Sequence, residues 1–164
     1  IKVMQEKCIG SIRTGIGQKW TKVYMVTDNE TGYKFIEFDA LHYKGLLWNH
    51  IKLDENDVRQ QIKTLDLLKK TFEGKEKMTI SQPSDKNIEE RLSVDLPASI
   101  GEETGDTNGD IQWNKTNLIA YFSYWERKLS LEITYKNEFE FVFRFRSKEQ
   151  IESLIQFFKS IEWE

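Results

Sequence analysis

The stretch from 139 to 161, FEFVFRFRSKEQIESLIQFFKSI, changes hydrophobic period once. Phe139, Phe141, Phe143 and Phe145 alternate with Glu140, Val142, Arg144 and Arg146, the period of two that sends successive side chains to opposite faces of a strand. From Ile151 onward the spacing becomes three and four, so Ile151, Leu154, Ile155, Phe158 and Ile161 form one helical stripe. Ser147 with Gln150 three residues on has the form of a capping box and fixes where one regime gives way to the other. Just upstream, Leu129, Leu131, Ile133 and Tyr135 alternate with polar residues, and Asn137 with Glu138 supplies a tight turn, which predicts an antiparallel hairpin. Arg144 and Arg146 fall on its wet face, where pairing with neighbouring acids is expected. A hairpin running straight into an amphipathic helix must fold that helix back onto apolar surface.

Other short strands surround this unit. LIAYFSYW at 118–125 is aromatic and β-prone and should neighbour the hairpin, while KCIGSIRT, KWTKVYMVT, YKFIEFDA and GLLWNHIKL read as a second, N-terminal group. TGIGQ at 14–18 lacks the spacing of a phosphate loop and reads as a turn. The count is about seven strands. Between the groups, Asp54 can cap a helix over about 55–73, with Val58, Ile62, Leu65, Leu68 and Phe72 on one face and Gly74 as its stop. Residues 75–110 hold both prolines, several glycines and mixed charge without a sustained period, and read as a long flexible loop. The fold class expected is mostly β with some α: one domain over 1–164, a bent antiparallel sheet or open barrel capped by a C-terminal helix, with 54–116 as an insertion.

Composition narrows the function. A net charge of −3 argues against a protein that coats nucleic acid, since that binding needs a basic footprint to displace counterions. One cysteine allows no internal disulfide and fits a reducing, cytoplasmic compartment, and two histidines are too few for a histidine zinc site. No apolar run reaches the roughly 18 to 20 residues of a membrane-spanning helix. No nucleophile elbow, metalloprotease helix or EF-hand spacing occurs, so the expectation is a monomeric, non-catalytic chain without cofactor or metal.

KWTKVYMVT, HYKGLLWNHIKL and FEFVFRFRSKEQIESLIQFFKSI together resemble the second strand, the fourth strand and the seventh strand with capping helix of the pleckstrin homology domain. The resemblance spans about 7–53 and 117–163. It implies seven strands in two near-orthogonal sheets and a site for phosphoinositide headgroups at the open end of the first hairpin and the third and fourth strands. On this chain it implies a lipid-binding set of Arg13, Lys19, Lys22 and Lys44. The family's lipid-gripping members carry Arg three residues after the Trp of the second strand; here that position is Val23, which offers no donor fork. The expected ligand therefore shifts from a polyphosphorylated inositol toward a less demanding anionic lipid such as phosphatidic acid. Strand alternation sets Lys19 and Thr21 on one face and Lys22 on the other.

The functional expectation is an adaptor that brings its parent protein to an anionic membrane surface, peripheral rather than spanning. Two rivals share the composition: a protein-interaction module that docks a partner through the inserted helix or a strand edge, and a bacterial immunity or phage inhibitor protein. Lys19, Lys22, Lys34 and Lys44 are also what guarded edge strands carry.

Overall fold

The computed structural model describes residues 4–42, 47–81, 88–103, 111–125, 127–136 and 140–164. Within them the chain runs β1 Met4–Thr14, β2 Lys19–Asp28, β3 Lys34–His42, β4 Leu47–Asp54, α1 Glu55–Ser81, β5 Ile88–Leu92, β6 Pro97–Glu103, β7 Ile111–Asn117, β8 Ile119–Trp125, β9 Lys128–Thr134, β10 Phe141–Phe145 and α2 Lys148–Lys159. All pairings are antiparallel. One sheet has the order β1-β2-β3-β4-β6-β7, the other β10-β9-β8-β5, and neither closes on itself. The molecule is a β-rich fold with a C-terminal helix.

Both helices begin at side-chain caps. At α1, the Asp57 amide donates to Asp54 Oδ1 at 2.8 Å and the Asp54 amide donates to Asp57 Oδ2 at 3.1 Å, a reciprocal capping box. At α2, the Gln150 amide donates to Ser147 Oγ at 3.2 Å, while Gln150 Oε1 accepts from the Arg146 amide at 2.6 Å. The return bond therefore reaches one residue before the cap and ties the end of β10 to the helix. Ile151, Leu154, Ile155 and Phe158 of α2 are buried. They join one core with Val23, Phe38, Ile51, Phe122, Leu131 and Phe143 from the two sheets and Leu65, Leu68 and Phe72 from α1. The helices pack together, and Lys69 Nζ bridges to Glu152 at 2.8 Å across that contact.

Three features differ from the sequence expectation. The helix predicted to stop at Gly74 runs on to Ser81. Gly74 is exposed with nothing within 4 Å of where its Cβ would stand, so it costs the helix only about 1 kcal/mol of propensity. The flexible loop expected over 75–110 contains β5 and β6, and β7 follows it. β5 adds to the edge of β8, while β6 and β7 extend the first sheet beyond β4, so the insertion widens both sheets. There are thus ten strands among the described residues rather than about seven. Finally, the register shifts between Phe141 and Phe143, and Val142 is buried alongside the phenylalanines, which ends the strict alternation expected of β10. Phe139 lies outside the described residues.

The β1–β2 turn fixes the end of the sheet that matters below. Its Gly15 amide donates to the Val142 carbonyl at 2.9 Å and its Ile16 amide to the Leu41 carbonyl at 2.6 Å, so one turn is tied to both sheets. Gly15 adopts φ +71°, and a Cβ there would stand 2.5 Å from the Leu41 backbone. Gly15→Ala should lower stability by about 1 to 3 kcal/mol through the forced backbone alone, and Phe158→Ala by about 3 to 5 kcal/mol through its cavity. Urea unfolding checks both; a Gly15→Ala midpoint equal to wild type would refute the turn's role.

Candidate functional site

The chemistry gathers where the β1–β2 hairpin meets the start of α2. In the β1–β2 ladder Arg13 faces Trp20 and Ser11 faces Lys22, so Arg13, Trp20 and Lys22 share one face of the hairpin. The Arg13 guanidinium lies 5.0 Å from the centroid of the Trp20 ring, yet Trp20 remains 67% exposed. A cation over an indole left in water is characteristic of a contact surface rather than a core.

Across the gap, β10 contributes Arg144, and Arg146 follows directly after the strand's last residue, Phe145. A cavity of about 420 Å³ runs between hairpin and helix, with Arg13, Trp20, Arg144, Phe145, Leu154 and Phe157 in its wall. A second cavity of about 260 Å³ has Arg13, Arg144 and Arg146 in its wall with Gly17, Gln18 and Gln150. Arg13, Gln18, Arg144 and Gln150 line both, so they form one continuous groove. Arg144 lies opposite Glu132 on β9 and pairs with it at 3.6 Å, and its guanidinium stacks 4.4 Å from the Phe141 ring. Its Nε is closed off from solvent and has no hydrogen-bond partner among the described residues. Arg13 and Arg146 form no ion pair among the described residues. The groove wall is basic and apolar.

The residues singled out in the sequence separate here. Arg13 and Lys22 stand on the same face as Trp20; Lys19 pairs with Thr14 on the opposite face, although at the first position of β2 it is exposed. Lys44 lies outside the described residues. Val23 is fully buried, so the position where the resembling family carries its arginine points into the core. The sequence places Arg144 and Arg146 on a wet strand face pairing with acids; among the described residues only Arg144 does so, with Glu132. The signal available was FRFRS itself, two arginines of one parity running into a helix cap.

A second exposed indole stands on the same face of the sheet. Trp48 is 48% exposed and pairs with Leu41, whose backbone holds the β1–β2 turn; following the register from Trp20 through Tyr24, Glu37 and Leu41 keeps the same face. Trp163, the tryptophan nearest the chain end, is partly buried against the core. Between the two indoles lie Glu37, Asp39 and His50, with His50 Nδ1 at 2.6 Å from Asp39 Oδ1. Burial, then Asp39, pushes the Glu37 carboxyl above its ordinary range. Among the described residues no group of three or more metal-ligating side chains comes together.

Comparison with models of known protein families, with characterised proteins and with solved structures returns no match. What the geometry defines is a class: a two-sheet β domain with a terminal helix, an arginine-lined groove and two indoles standing out on one face.

At the same rim His42 ends β3, buried, with its Nδ1 unpartnered among the described residues; burial lowers its pKa from 6.5 against an opposing pull from Glu102. A histidine depressed in the fold gives stability that is complete above its unfolded pKa and is lost as pH falls through 6.5 toward the folded value. Glu37 and Glu140, raised by burial, act with the opposite sign. Unfolding midpoints between about pH 7.5 and pH 5.5 should therefore fall less in His42→Leu than in wild type. Equal slopes would remove His42 from the account.

Proposed function

We propose that this chain is a non-catalytic domain that brings its parent protein to an anionic membrane surface by recognising phospholipid headgroups. The observation that carries the reading is the pair of exposed indoles, Trp20 and Trp48, on the face that also bears Arg13 and Lys22. Indoles sit favourably at the headgroup level of a bilayer because the ring is apolar and its N–H polar. Each basic side chain near an anionic leaflet adds about 1 kcal/mol, too little from one or two groups to hold a protein. Two inserted rings beside them supply the second anchor that such weak attraction requires. The resemblance to the pleckstrin homology domain supports the same reading.

The rival reading, a protein-docking module, draws on the position of β1, the terminal strand of its sheet, whose residues Met4 to Cys8 are all exposed. An edge of that kind can accept another strand.

Vesicle sedimentation separates the two. Vesicles of phosphatidylcholine with about one fifth phosphatidic acid or phosphatidylserine should retain the protein, and pure phosphatidylcholine should not. Retention should fall severalfold as salt rises from about 0.05 to 0.5 M, because the Debye length shrinks below the spacing of surface charges. Trp20→Ala with Trp48→Ala should lose retention on every anionic composition, and Lys22→Glu should weaken it. Indifference to all lipids would favour strand docking and end the membrane reading.

A further inference from the structure

The groove beneath the start of α2 is more particular than a basic face. Its three guanidiniums come from β1 in one sheet, from β10 in the other and from the residue just after β10, so their convergence is fixed by the corner where the sheets meet. Among the described residues no acidic side chain lines either cavity. Glu132 pairs with Arg144 at 3.6 Å, and the Arg144 Nε, closed off from solvent, has no acceptor among the described residues. A buried donor of that kind costs stability unless something accepts from it. The positive end of the α2 dipole, where Gln150 lines both cavities, adds to the field at the same place, while Lys148 and Glu149 of its first turn carry opposite charges.

We propose that this groove binds a phosphate monoester bearing an apolar chain, held by Arg13, Arg144 and Arg146. The inference rests on the membrane reading for the source of its ligand and deepens it by naming the headgroup. Guanidinium forks match the terminal oxygens of a phosphate in bidentate geometry, and a monoester presents three such oxygens where a diester presents two. Around neutral pH the monoester approaches two negative charges, since its second ionisation lies near pH 6. Three guanidinium forks favour the dianion. The chain has a place as well: beside the arginines the larger cavity has Phe145, Leu154, Phe157 and Trp20 in its wall.

Titration calorimetry on the whole chain tests this with three probes: a monomeric short-chain phosphatidic acid, inorganic phosphate, and a short-chain phosphatidylglycerol as the diester. The short-chain phosphatidic acid should bind, tightening about tenfold from roughly pH 5 to pH 7.5 as its second proton leaves. Arg146→Gln, at an exposed position where folding is not at stake, should weaken it by about tenfold, and Arg13→Gln similarly. Arg144→Gln should weaken it as much or more, read only if the far-ultraviolet spectrum and unfolding midpoint are kept. Phosphatidylglycerol binding as tightly, without the pH dependence, overturns the monoester assignment. Inorganic phosphate binding as tightly as the lipid overturns the place given to the chain.

Vesicles distinguish failure of this inference from failure of the membrane reading. If the tryptophan variants abolish retention while Arg146→Gln leaves affinity for phosphatidic acid unchanged, the groove assignment falls and the membrane reading stands. If monomeric phosphatidic acid binds through Arg146 and vesicles of every composition are ignored, the groove assignment stands as a soluble-ligand site and the membrane reading falls.

Discussion

Phe157 of α2 rests against the backbone of Gly10, where a Cβ would stand 2.7 Å from its ring, and the rest of the molecule is arranged around that seat. Gly10 lies at φ +148° beside a register shift in β1, an extra residue that bends the strand and brings it under the helix. Without the bulge β1 would run flat past α2. With it, the helix crosses from the end of β10 to the middle of β1, and the buried stripe of α2 covers the corner between the two sheets. The groove is what remains open on the other flank of that helix, toward the β1–β2 turn. Its shape is thus a by-product of how α2 is held, and its lining depends on which residues the two strands present at their ends.

The insertion stabilises the same arrangement from the other side. α1 has 27 residues, about 40 Å of helix, long enough to lie across the core and meet both α2 and the inserted strands. Gln61 donates to the Pro97 carbonyl at 2.9 Å and Thr64 to the Asp95 carbonyl at 2.6 Å, so the segment leading into β6 is fixed to the helix by side chains. Lys115 of β7 reaches back to Asp57 in the capping box of α1. Lys75 does the same for β5 through Glu90 at 2.5 Å. One helix therefore anchors the added edge of each sheet, which makes the insertion part of the fold's framework. Trp20 and Trp48 stand on the face of the β2, β3 and β4 ladder opposite the one that carries Val23, Ile36, Phe38 and Ile51 into the core.

How much of this was legible follows from where the physical signal is local. The β9–β10 hairpin, the Ser147 cap and the α2 stripe all come from residues within a few positions of one another, and a sustained period reports them. The Asp54 cap was readable for the same reason, since Asp57 is three residues away. β6 was not: its inward residues are Ala98 and Ile100, and a small side chain beside Pro97 and Gly101 leaves no pattern to count. β7 is an edge strand with mostly polar residues, whose strand character derives from pairing with β6 rather than from its own composition. The groove was half legible. Arg13 could be placed at the end of a strand, but its meeting with Arg144 and Arg146 depends on the β1 to β10 corner, a contact more than a hundred residues apart in the chain. Trp20 and Trp48 had the composition of core residues; only the register shows that they share a face pointing away from it.

The acidity of the chain and the basicity of the groove are compatible once distance is considered. A net charge of −3 spread over the surface is felt by a ligand only within about one Debye length, roughly 8 Å at physiological salt. Inside the groove the near field is set by three guanidiniums and a helix N-terminus, with Glu132 answering one of them. Beyond that range the remaining acids are largely screened. Glu37 and Asp39 lie between the two indoles on that face, so the proposed contact with an anionic surface depends on the arginines and Lys22 near Trp20 outweighing them, which the same number of scattered lysines could not achieve.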